Sequence, residues 1–188
     1  IGGFRAGTQQ VEQVVKKMFP RARTLRMDAD TTRGKDGYEK ILKAFAAGEA
    51  DVLIGTQMIV KGHDFPGVTL VGVIAADVSL FASDYRAAER TYQLLVQASG
   101  RAGRGRRAGE ALIQTYHPEH YSIRAALTQD YDAFYEEEIA CRELMGYPPA
   151  ASLLAVHGSC DQEEKLKNAM EYIRRYLIRV RRKSTVQL

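Results

Sequence analysis

Six polar side chains, Arg86, Arg90, Gln93, Gln97, Arg101 and Arg104, recur at intervals of 4, 3, 4, 4 and 3 residues. On a helix this spacing aligns them along one face, a stripe of guanidinium and amide donors suited to an anion such as phosphate. Gly100 and Gly103 remove side chains beside the last two arginines, at about 1 kcal/mol of helix stability each, and leave room for another surface or a phosphate. The spacing is met equally by a solvated helix face with a glycine-rich end. A second stretch, Gly55-Thr56-Gln57-Met58-Ile59-Val60-Lys61-Gly62-His63-Asp64-Phe65-Pro66, follows an apolar run and gathers backbone N–H groups, a hydroxyl, a cation and a carboxylate. At the carboxyl end of a buried strand, such a turn lies where parallel α/β sheets bind ligands. Taken singly, Gly-Thr and Lys-Gly also serve as plain turns, and His63 as a hydrogen-bonded loop histidine.

The elements that must position these residues alternate between helical and extended periodicity through residue 117, the pattern of a parallel sheet covered by helices. Val11, Val14, Val15 and Met18 repeat with helical spacing and stop at Phe19-Pro20. Residues 24–27 read as a strand, Tyr38, Ile41, Leu42 and Phe45 as a helix, and 51–56 as a buried strand. A strand over 68–75 follows, then a helix from Asp84, a plausible N-cap, to about residue 102, then a strand over 111–115. The predicted order is α, β, α, β, β, α, β. Beyond His117-Pro118 the chain turns acidic and aromatic and reads as helical connecting structure, closed by Gly146-Tyr147-Pro148-Pro149. Residues 152–157 read as a strand and 161–182 as a helix with Leu166, Met170, Ile173 and Leu177 on one face. One strand and one helix do not close a core. This last part is therefore either an incomplete domain or an extension packed on the first.

Composition sets the outer bounds. At 188 residues, 45% hydrophobic and 27% charged, the chain has room for one domain and an appendage. The longest apolar run, 68–76, is far short of the roughly 18–20 residues needed to span a bilayer, so a soluble, non-membrane chain is expected. Cys141 and Cys160 are too few for a disulfide scaffold or a zinc cluster and suit a reducing compartment. The net charge of +4 is unevenly spread: residues 1–117 hold 17 basic and 12 acidic side chains, 118–172 hold 4 and 11, and 173–188 hold six basic and none acidic. Localised positive charge favours a nucleotide or nucleic acid. The start at Ile1, without an initiating methionine, is expected of a piece of a longer protein.

Taken together, Gly55 to Pro66 resembles motif V, and Gln97-Ala98-Ser99-Gly100-Arg101-Ala102-Gly103-Arg104 resembles motif VI, of the second lobe of superfamily 2 helicases. Gly7-Thr8-Gln9, Arg26 to Thr32, Ile54 to Asp77, Asp84 to Arg90, Gln114 to His120 and Tyr147-Pro148-Pro149 narrow the resemblance, over about residues 5–175, to the replication-restart DNA helicases of that superfamily. It implies an α/β fold: a RecA-like, P-loop-NTPase-type helicase C-terminal lobe over 1–117, an acidic helical connector over 118–150, and the start of a partial α+β DNA- and partner-binding domain over 151–188.

The same resemblance implies the roles of individual residues. Arg104 corresponds to an arginine finger, Arg101 to its partner at the phosphates of ATP, and Gln97 to a residue orienting both. Gly62 and Asp64 lie near the nucleotide; Thr56 and Gln57 touch the DNA backbone; Lys61 serves either side. Thr31 and Thr32 match the motif IV region and meet phosphates or cap a helix. Phe81 and Tyr85 stack bases or pack internally. The six basic residues Arg174, Arg175, Arg179, Arg181, Arg182 and Lys183 line a DNA path or form a solvated helix end.

The resemblance further implies ATP and Mg²⁺ bound mainly by a first lobe, because Gly-x-x-x-x-Gly-Lys-Thr and an acidic Mg²⁺ motif are absent here. The family's zinc module is likewise absent, no metal site is expected, and the fragment alone is expected to be inactive. The implied whole is a bacterial, cytoplasmic, nucleoid-associated 3′ to 5′ helicase acting on forked and single-stranded DNA. Its implied partners are the single-strand binding protein, other primosome proteins and the replicative helicase loader. A non-catalytic nucleic-acid-binding or docking module, and an RNA helicase lobe, are the alternatives.

Overall fold

The computed structural model describes residues 7–32, 37–60, 65–103 and 108–183. In chain order the elements are α1 (Thr8–Met18), β1 (Thr24–Met27), α2 (Gly37–Ala46), β2 (Val52–Gly55), a single 3-10 turn (Gln57–Val60), β3 (Leu70–Val73), α3 (Asp77–Leu80), α4 (Ala87–Ser99), β4 (Glu110–Ile113), α5 (Tyr121–Thr128), α6 (Tyr131–Met145) and α7 (Glu163–Lys183). Residues 7–145 and 146–183 belong to two separate compact units.

In the first unit the strands pair in parallel two by two, β1 with β2 and β3 with β4, with α2 crossing over in the first pair and α3 and α4 in the second. Arg23 ties the start of the first ladder by donating to the Asp51 carboxylate at 2.7 and 3.1 Å. Its far end pairs Met27 with Gly55. α1 stops at Met18, ahead of Pro20, as the sequence predicts. Its apolar stripe is only partly covered, with Val14 and Met18 exposed.

The long helix begins three residues later than its spacing suggests, because the short α3 comes first and Asp84 then shapes the entry turn. Asp84 accepts the Arg86 N–H on its carboxylate at 2.9 Å and the Ala87 N–H on its carbonyl at 3.0 Å. α4 ends at Ser99, and Gly103 turns the chain with φ +74°.

The main core lies where α4 meets α5 and α6: Tyr92, Leu95, Ile123, Ala125, Ala126 and Phe134 are buried together with Ala76. Tyr92 stacks on Phe134 with ring centroids 4.2 Å apart. The acidic stretch expected as a connector is thus built into the compact unit, since its helices carry apolar residues at the spacing α4 requires. In the second unit, 152–157 forms no strand: no ladder partner pairs with it among the described residues, and its side chains lie mostly open to solvent. Gly158, just after it, sits against Leu166 and Met170 of α7.

Candidate functional site

α4 carries Arg90, Gln93 and Gln97 of the polar stripe, with Arg86 just ahead of it and Arg101 beyond its end, so the expected single helical face is shorter than its spacing implies, and its first half is already engaged. Arg90 reaches Asp84 at 2.8 Å and Arg86 reaches it at 3.4 Å, while Gln93 donates to Glu89 at 3.3 Å. The entry of the stripe is therefore partnered within the protein itself. Gln97 is exposed on the last turn of α4, and Arg101, half-buried, follows in the turn beyond it. Gly103 hydrogen-bonds to the Val68 carbonyl at 3.0 Å, and its backbone lies directly against that of Gly109. Arg104 belongs to 104–107, outside the described residues.

The motif V stretch is shaped by Gly55. A Cβ there would lie 2.5 Å from the Met27 carbonyl and 2.6 Å from Ile59 Cγ2, so only glycine lets β2 run this close to β1 before the chain turns. Thr56 and Gln57, at the carboxyl end of β2, are exposed, and the 3-10 turn that Gln57 opens packs against α4. The structure therefore brings the motif V turn to the helix of motif VI. Lys61, Gly62, His63 and Asp64 lie outside the described residues.

Beside this turn, at the carboxyl end of β1, Asp28 organises the rim. Its carboxylate accepts the Thr8 hydroxyl at 2.5 Å, Arg26 Nη1 at 2.8 Å, and the N–H groups of Asp30 and Thr31 at 3.0 Å. The Thr32 hydroxyl donates to the Asp28 carbonyl at 2.6 Å, and the Thr31 hydroxyl bonds to Asp28 as well. Thr31 and Thr32 are thus capping residues of this turn, with their donors directed at Asp28. The Thr8 hydroxyl foremost, then the Thr31 N–H and the Arg26 charge, hold the Asp28 carboxyl down to about 2. Sequence reasoning passed over Asp28, although an aspartate three and four residues ahead of two threonines is a turn-capping signal.

The aromatic candidates part company. Phe81 is exposed, edge-to-face with His117 at 5.2 Å, whereas Tyr85 is half-buried with the guanidinium carbons of Arg86 and Arg142 each 5.3 Å from its ring centre. Near them Asp77 accepts the Thr115 hydroxyl at 2.8 Å and the Tyr116 N–H at 3.1 Å. Burial opposes its ionisation, but these bonds prevail and keep its carboxyl below the usual range.

A buried polar cluster joins α4 to α6. Arg142 donates to Glu138 at 2.7 Å and to Glu89 at 2.6 Å, and Glu138 also accepts the Tyr121 hydroxyl at 2.6 Å. Only the four-residue step from Glu138 to Arg142 was visible in the sequence; the partner Glu89 lies 53 residues away.

In the second unit Arg174 and Arg175 both pair with Glu171, at 2.7 and 2.8 Å, and both are exposed. The Arg181 side chain is outside the described residues. Among the described residues no cluster of acidic, histidine or cysteine side chains could hold a metal, and no helix is long and apolar enough to cross a membrane.

Residues 4–106 match the family described as the helicase conserved C-terminal domain. The chain is 51% identical over 174 residues to the replication restart protein PriA of Bacillus subtilis, 44% over 170 residues to that of Synechocystis, and 39% over 175 residues to that of Thermotoga maritima. These alignments take in 93%, 90% and 93% of this chain but 22%, 20% and 24% of those proteins. The chain spans less than a quarter of the length of these relatives.

Proposed function

The chain belongs to the helicase conserved C-terminal domain family, and from that membership we propose that it is the second motor lobe of an ATP-dependent 3′ to 5′ DNA helicase that remodels stalled replication forks and starts primosome assembly. The observation that carries the reading is the packing of α4 against the 3-10 turn, which joins the helix that bears Gln97 and leads into Arg101 to the turn that follows Thr56 and opens with Gln57. An ATPase that moves along a strand needs such a joint between its nucleotide side and its DNA side.

The donor set at the end of α4, a primary amide followed four residues later by a guanidinium, suits an anionic phosphate. In this reading Gln97 orients the arginines, Arg101 binds phosphate oxygens, and Arg104 meets the charge that develops on the equatorial oxygens, an effect worth about 10³ to 10⁵ in rate. ATP, with Mg²⁺ held mainly by the first lobe, supplies the phosphoryl group whose hydrolysis drives movement. Gly62 and Asp64 belong to the nucleotide side. Thr56, Gln57 and Lys61 hold the strand by its phosphates without reading sequence, aided by Arg174, Arg175 and Arg181. The exposed Thr56 and Gln57 support that assignment. The capping bonds of Thr31 and Thr32 make their part at the rim indirect, through the shape of the turn. The surroundings this reading implies are the bacterial cytoplasm and nucleoid, with single-strand binding protein and the helicase loader as partners.

The test is Arg104→Ala and Arg104→Lys in the full-length protein, assayed for ATP hydrolysis on forked DNA. Both variants are expected to lose about 10³-fold or more in turnover, because an ammonium lacks the planar fork. Wild-type turnover in Arg104→Ala would overturn the reading. Stimulation by RNA equal to that by DNA would favour an RNA helicase lobe instead.

A further inference from the structure

The polar cluster between α4 and α6 has no part in the roles assigned above, yet it reaches the helix on which they depend. Arg142 is buried, its fork divided between Glu138 on its own helix and Glu89 on the first full turn of α4. Glu89 in turn accepts from Gln93, the next member of the polar stripe. Arg142 also lies over Tyr85, as does Arg86 at the mouth of α4. Cohesion between the two helices does not need these charges, because Tyr92 already stacks on Phe134 across the same joint. What a forked guanidinium adds to an apolar contact is direction: it fixes the rotation and tilt of α4 about its axis.

We infer that Arg142 is a positioning residue for the motor, acting through Glu89 and Gln93 to hold α4 in the orientation that presents Gln97 and the arginines after it to the nucleotide. The lever is rigid. Gln97 stands two turns beyond Glu89, about 12 Å along the axis, so a tilt of about 10° at Glu89 carries it about 2 Å. A displacement of about 1 Å at a group that orients reacting atoms is enough to cost about 10² in rate. Slack at Arg142 therefore appears in the chemical step, with substrate and DNA binding largely kept.

The inference rests on the motor-lobe reading, and its test separates the two. Arg142→Met, Arg142→Lys and Glu89→Gln are made in the full-length protein, with kcat and KM for ATP measured on forked DNA, Kd for that DNA, and thermal unfolding. Arg142→Met is expected to lower kcat about tenfold or more while KM and Kd stay within about twofold. Arg142→Lys restores part of the loss, and Glu89→Gln lowers kcat by a smaller factor in the same pattern. Combining Glu89→Gln with Arg142→Met costs less than the product of the two separate losses, as for residues acting in series. Unchanged kcat in Arg142→Met, or a KM and Kd that worsen in step with kcat and with falling melting temperature, overturns the positioning role. Should Arg142→Met fail to fold, Glu89→Gln decides: unchanged kcat there overturns it. Arg104→Ala, run alongside, reports on the motor-lobe reading alone. Loss there with full turnover in both Arg142→Met and Glu89→Gln overturns only the positioning role.

Discussion

The backbones of Gly103 and Gly109 lie against each other so closely that a Cβ on either would overlap the other's backbone nitrogen. The pinch is braced beside the ladder of β3 and β4 by hydrogen bonds from the Gly103 N–H to the Val68 carbonyl and from the Glu110 N–H to the Thr69 carbonyl, at 3.0 and 2.8 Å.

Alanine at either glycine must break this pinch. Gly103 adds a positive φ of +74°, which costs about 1 kcal/mol for a side chain, and the overlap forces the backbone apart. We expect Gly103→Ala and Gly109→Ala to lose about 2–3 kcal/mol in urea unfolding. Gly72→Ala in β3, where a Cβ would meet nothing within 4 Å, is expected to be near neutral.

Thr31→Ala and Thr32→Ala test whether these hydroxyls serve the turn or the DNA. Because both bond to Asp28, each substitution is expected to reduce unfolding free energy by about 0.5–1.5 kcal/mol. Affinity for single-stranded DNA, measured by fluorescence anisotropy on the full-length protein, should change less than twofold. A large loss of affinity without loss of stability would reverse the assignment.

Asp28 gives a pH signature. Its folded pKa, about 2, lies below the ordinary value of 3.8, so the folded state holds its proton less readily than the unfolded chain. The stability this contributes is fully present above about pH 4 and is lost as pH falls from 4 toward 2. Melting temperature followed over that range should fall less steeply in Asp28→Asn than in wild type, with the Asp28→Asn protein already less stable at neutral pH.

Arg174 and Arg175 each face one carboxylate, Glu171, leaving a net positive pair on an exposed helix face. If they neutralise phosphates, removing both by alanine lowers the slope of log affinity against log salt by about 1.4 on single-stranded DNA. An unchanged slope would assign them to a solvated face.

Much of this was legible in the sequence for a physical reason: apolar period and turn residues are local signals. The strand leading to Gly55, the stop of α1 ahead of Pro20 and the helix bearing Gln97 all follow from neighbours within a few residues. Asp84 at the mouth of α4 was visible in kind, though the intervening α3 shifted the start. The partition of the stripe was not legible, because whether Arg90 faces an anion or Asp84 depends on the loop's path. Nor was the embedding of α5 and α6, whose acidic composition hid the apolar contacts of Ile123 and Phe134 with α4. The Arg142–Glu89 bond joins residues far apart in the chain, beyond any local spacing.

The turn after β1 is held from three sides. Asp28 binds the first residue of α1, the penultimate residue of β1 and the turn through Thr32, so three segments are ordered at once when the protein folds. The conformational entropy of that rim is surrendered before any nucleic acid arrives. If a strand docks beside this turn, as the motor-lobe reading proposes, it meets a preorganised surface, and none of the binding free energy is needed to order the turn.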